Sequence, residues 1–136
     1  MKGRFEGSSK IMNSPRDINL EVERLINQLW KDTTKWEQSA LEGETLLLKG
    51  LEKWPDHSIL VSNLGAIYEY QFNREKALPQ LERAVELGAK DKHTYFNIGV
   101  VKTNLRHSDA REIFELASKA SARDDTFECY IDFQAL

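Results

Sequence analysis

Asn63-Leu64-Gly65-Ala66-Ile67-Tyr68 returns further along the chain as Asn97-Ile98-Gly99-Val100-Val101-Lys102, with Gly65 and Gly99 34 positions apart. The match extends outward from this core. Val61 pairs with Tyr95 at the same offset, while Ala77, Leu81 and Ala84 pair with Ala110, Phe114 and Ala117 at an offset of 33. The second copy has therefore lost one residue in the turn between its halves. An earlier, partial copy places Gly43, Leu47 and Gly50 one period before Ala77, Leu81 and Ala84, but carries Trp30-Lys31 where the others have Leu-Gly or Ile-Gly. Small residues at fixed intervals among larger apolar ones are what a close helix crossing requires. At interaxial distances of roughly 8–10 Å, a branched side chain at the contact has no room.

Helical periodicity and cap residues place six helices. The first is expected from an N-cap at Asp17, with Leu20, Val22, Leu25, Ile26, Leu29 and Trp30 on its apolar face, ending near Lys31 to Thr34. A second spans Trp36 to Lys53 and is stopped by Pro55. The third spans Ser58 to about Gln71. After a turn at Phe72-Asn73, the fourth runs from Arg74 to about Leu87, with Pro79 expected to bend it or delay its start and Gly88 as a left-handed C-cap. The fifth spans Lys92 to Asn104, and the sixth opens at His107 or Ser108 and reaches about Ala122. The last stretch, 126–136, reads two ways. Phe127, Cys129, Ile131 and Phe133 alternate as in a strand, but a lone strand lacks a partner. A short capping helix behind Asp124 and Asp125 is the reading adopted. Residues 1–15 form a polar, glycine- and serine-containing tail expected to be flexible.

The chain has 136 residues, 40% hydrophobic and 30% charged, with a net charge of −3 and one cysteine. That supports a single helical domain. No basic stripe is present, which argues against nucleic acid as a partner. No apolar run is long enough to span a bilayer, and no apolar N-terminal signal is present. The lone Cys129 excludes an internal disulfide, and cytoplasm is the expected location.

The 34-residue period, the Leu-Gly and Ile-Gly pairs, and the small–large–small pattern at Ala77, Leu81 and Ala84 resemble the tetratricopeptide repeat family. The resemblance covers roughly Gly43 to Ala122. It implies an all-α fold, a short right-handed solenoid of about three helical hairpins (17–57, divergent; 58–91; 92–124) with a terminal cap at 125–136. Solenoids of this size depend on covered ends. Trp30 and Trp36 are assigned to one end, and Phe127, Tyr130 and Ile131 to the other. An end left incompletely covered would make a homo-oligomer the remedy.

By the same resemblance the first helices of the hairpins line a concave groove for a protein or peptide partner. Asn63 and Asn97 stand where family members hydrogen-bond a bound peptide's backbone. An amide suits this, since it donates and accepts at once. Ser62, Ala66, Glu69 and Tyr70 face the groove from one repeat, and His93, Phe96, Val100, Thr103 and Asn104 from the next. Lysines and an arginine, which a clamp for terminal carboxylates needs, are replaced here by Ser62, Ala66 and His93, so apolar anchors are expected instead. The competing reading gives Asn63 and Asn97 the plainer task of tying neighbouring helices together. Under the groove reading, Asn63→Ala with Asn97→Ala should weaken partner binding while leaving thermal stability nearly unchanged.

Enzymatic chemistry has little support. His57, His93 and His107 are scattered and lack metal-ligand spacing. Cys129 reads as a structural thiol, and Asp124-Asp125 as a helix cap. No phosphate loop is present, and no cofactor or metal is expected. The expected function is non-catalytic protein binding, as an adaptor or assembly factor. Two alternatives stand beside it: a dedicated chaperone or immunity-type inhibitor of one secreted protein, and a structural oligomerisation module.

Overall fold

A computed structural model describes residues 12–129, in which all regular structure is helical. The six helices are α1 (Pro15–Lys31), α2 (Trp36–Lys53), α3 (Ser58–Tyr70), α4 (Arg74–Glu86), α5 (Lys92–Asn104) and α6 (Ala110–Lys119), with a 3-10 turn at Thr33–Lys35 after α1. None is long and apolar enough to cross a membrane.

Several helix ends differ from those expected. The N-cap of α1 is Ser14, whose hydroxyl accepts from the Asp17 N–H at 3.2 Å. Pro15 sits in the first turn, where its absent N–H costs nothing and its fixed φ favours the helix, so α1 starts before Asp17. Of the predicted tail, Ser14 and Pro15 thus belong to this helix; the expectation for 1–11 lies outside the described residues. Pro79 lies within α4 without delaying it, because Asn73 caps the start by accepting from the Lys76 N–H at 3.3 Å. α6 begins at Ala110, later than expected, and stops at Lys119.

The repeat is visible in the turns as well as the helices. Phe72 and Arg106, 34 residues apart, both take left-handed backbone conformations, with φ of 60° and 63°. Behind them the Asn73 N–H donates to the Tyr68 carbonyl and the His107 N–H to the Lys102 carbonyl, both at 2.8 Å. Both turns are thus Schellman-type helix endings reached without glycine.

The helices pack as consecutive hairpins, α1 on α2, α3 on α4 and α5 on α6, with α2 against α3 and α4 against α5. α3 is central: every residue from Ile59 to Tyr70 is buried. α2 is wedged between α1 and α3. A Cβ added at Gly50 would lie 2.7 Å from the Ile18 side chain and 3.1 Å from that of Leu60. The main core joins Val22, Leu29, Leu47, Leu60, Leu64, Ile67, Leu81 and Val101, and it includes Phe127 and Cys129 from beyond the last helix.

At the start of α3 the cap is His57, whose Nδ1 accepts from the Leu60 N–H at 3.4 Å. Burial, partly opposed by the Asp125 charge, lowers its pKa below the ordinary value of 6.5. A depressed histidine pKa means that the unfolded chain binds the extra proton more readily. This contribution to stability is therefore full above pH 6.5 and is lost as pH falls below it. The melting temperature should fall between pH 7.5 and 5.5. His57→Asn, a cap that does not titrate, should flatten that slope, and an unchanged slope would show that another group carries it.

Candidate functional site

Past α6 the described residues, through Cys129, show none of the expected capping helix. From Ala120 the chain turns back, with the Ser121 carbonyl accepting from the Lys92 N–H at 2.8 Å, bends at residues 124–126, and through Cys129 crosses α1, α3 and α5 without regular structure of its own. Residues 130–136, including Tyr130 and Ile131, lie outside the described residues.

The segment is held by its backbone. Asn63, fully buried, accepts from the Phe127 N–H at 3.0 Å through Oδ1 and donates to the Asp125 carbonyl at 2.9 Å through Nδ2. Asn97, also fully buried, repeats this two residues on, accepting from the Cys129 N–H at 2.9 Å and donating to the Phe127 carbonyl at 2.6 Å. Two amides one repeat apart thus read residues 125, 127 and 129, the period-2 spacing of an extended chain. The Tyr70 hydroxyl donates to the Glu128 carbonyl at 2.9 Å. Burial pushes the Tyr70 pKa up to about 12.

A second polar chain fixes the start of the segment. The Thr126 hydroxyl donates to Asp91 Oδ2 and the Thr94 hydroxyl to Asp91 Oδ1, each at 2.7 Å. With its one hydrogen committed, the Thr94 oxygen accepts from the Ser62 hydroxyl at 2.7 Å. His93 Nδ1 lies 2.9 Å from the Thr126 carbonyl, which only accepts, so this nitrogen carries the proton. Phe127 and Cys129 are buried, while Glu128 is exposed. Burial raises the Cys129 thiol pKa well above its ordinary value. Beside the segment lies a cleft of about 370 Å³ lined by Glu23, Ile26, Trp30, Tyr70, Phe127 and Glu128, among others.

Five of the eleven residues expected to bind a partner, Ser62, Asn63, Tyr70, His93 and Asn97, hydrogen-bond to the segment or to its anchoring polar chain, while Ala66 is buried in the core. Glu69 is fully buried, accepting from Asn104 Nδ2 at 2.7 Å and lying 3.4 Å from Arg74 Nε. Val100 is buried in the core. Phe96 packs its ring on Phe114 of α6, centroids 5.6 Å apart. Thr103 bonds back to the Gly99 carbonyl.

Trp30 and Trp36 do not close a free end. They pack edge-on against each other and against Tyr70, with Trp36 Nε1 donating to the Tyr70 carbonyl at 2.7 Å. Phe127 belongs to the central core, not to the far end. Asp125 caps no helix: its carbonyl is held by Asn63, and its carboxylate pairs with Arg123, which depresses its pKa.

Three side chains were missed. Asn19 of α1 donates to the Asp125 carbonyl and accepts from Asn63, and its signal was a polar residue in step with Val22, Ile26 and Leu29 on an apolar face. Asp91 and Thr94 also form the start of α5, where Asp91 is the N-cap and accepts from the Thr94 N–H. Among the described residues, no three His, Cys, Asp or Glu side chains are placed to hold a metal ion. No family model matches the chain, and neither the curated proteins nor the solved structures give a match.

Proposed function

We propose that this chain is a non-catalytic protein-interaction module of tetratricopeptide type, a short right-handed solenoid that binds an extended segment of a partner protein across α1, α3 and α5. One observation carries the reading: Asn63 and Asn97 engage both the N–H and C=O groups of alternate residues in an extended chain. Main-chain bonds of this kind supply affinity that tolerates many sequences, and pockets for alternate side chains supply selectivity. The buried seats of Phe127 and Cys129, on either side of exposed Glu128, favour apolar groups at every second ligand residue.

Selection from a random peptide library tests this. Peptides recovered on the wild-type protein should alternate apolar and polar residues and should bind the folded Asn63→Ala, Asn97→Ala variant at least tenfold more weakly. Ligands indifferent to both substitutions would place binding on another face.

A further inference from the structure

Resting on that reading, we infer that the chain carries its own competitor: residues 124–129 are a displaceable ligand for the groove, and a partner enters by presenting a hydroxyl–aromatic–any–small apolar segment in the same register. The six backbone groups held between Asp125 and Cys129 are bonded by side chains of the helices, not by a neighbouring strand. A side-chain ladder of this sort is formed equally well by another extended backbone. The selective positions are those whose side chains are buried. Thr126 gives its hydroxyl to Asp91, Phe127 enters the core, and Cys129 fills a small apolar seat, while Glu128 points out. The segment follows α6 after only a few residues and is pinned at Lys92 and Ser121. Its effective concentration at the groove is therefore on the order of millimolar, so for an intrinsic Kd of about 10–100 μM a free peptide of equal affinity would be outcompeted roughly 10–100-fold.

The experiment uses the full chain. Thr126→Asp sets a carboxylate against Asp91, which repels the segment while leaving the helices unaltered. A fluorescein-labelled peptide copying 123–136, with serine in place of Cys129, should bind Thr126→Asp at least tenfold more tightly than wild type, and Asn97→Ala added to that variant should abolish the gain. In parallel, saturating peptide should accelerate alkylation of wild-type Cys129, because capture of the open groove keeps the native segment out. Phe127→Pro, which removes the N–H given to Asn63, serves as a second opened variant.

If neither opened variant binds peptide while both retain the wild-type helical spectrum, the groove reading itself falls. Equal binding to wild type and opened variants, lost on Asn97→Ala, keeps the groove and overturns self-competition. Loss of helical structure in both opened variants, or wild-type alkylation unmoved by saturating peptide, makes the segment a fixed part of the core and also overturns it.

Discussion

Gly65→Leu is expected to cost about 3 kcal/mol or more, at or above the upper end of the range for overpacked cores. Even a bare Cβ at Gly65 would stand 2.6 Å from Leu81 Cγ, 2.8 Å from Leu81 Cδ2 and 3.3 Å from the Ala77 carbonyl oxygen. Leu81 is fully buried and has nowhere to move, and the third neighbour is backbone. A leucine forces α3 and α4 apart along a contact that the central helix shares with the rest of the core. Against a total stability of about 5–15 kcal/mol for a domain of this kind, that is a large fraction. Urea unfolding should show the loss, and truncating Leu81 to alanine should cost less in a Gly65→Ala background than in the wild type, since the two sites share one space. Gly99 should tolerate alanine better. The three atoms nearest its added Cβ all belong to the Phe114 ring, 2.7–2.8 Å away, and that ring is half-buried on the last helix. Wild-type stability in Gly65→Leu would refute the close crossing.

Asn97→Ala is expected to speed alkylation of Cys129 by about 10–100-fold. The substitution removes two buried hydrogen bonds, to the Phe127 carbonyl and the Cys129 N–H. A typical hydrogen bond contributes about 0.5–1.5 kcal/mol net, so losing two weakens the seated segment by about 1–3 kcal/mol relative to the segment in water. Because 1.4 kcal/mol is a factor of ten, the open population rises by one to two powers of ten. Cys129 is the only cysteine, so the thiol reagent reads this opening directly. The same bonds revise the expectation that replacing both asparagines would leave thermal stability nearly unchanged. Asn63 also ties Asn19 to the segment, and the core includes Phe127, so the double variant should melt lower. An alkylation rate equal to wild type in Asn97→Ala would show that the segment is held by other contacts.

The helices were legible because each is fixed by local chemistry. Apolar periodicity, Asn73 as a cap, Gly88 at a φ of 113° and Pro55 as a stop act within a few residues of where they lie. The errors fell where one local signal competed with another. Ser14-Pro15 overrode Asp17 at the first cap, and α6 yielded its last turn to a chain that had to reverse toward Lys92. Of the groove, Asn63 and Asn97 were legible through their 34-residue spacing. Asn19 was not, because its partner Asn63 lies 44 residues away and its own helix, α1, belongs to the decayed copy of the repeat.

By itself the sequence determined the hairpin periodicity and the close crossings at Gly65 and Gly99, since bulk at a helix contact is excluded whatever lies beyond it. It also carried the alternation of Phe127 and Cys129, set aside because a single strand has no neighbouring strand to bond with. Only the tertiary structure supplied that partner, by bringing Asn19, Asn63 and Asn97 from three helices into one row of amides. Which distant polar groups converge on a backbone depends on how whole helices stack, and no window of neighbouring residues encodes it.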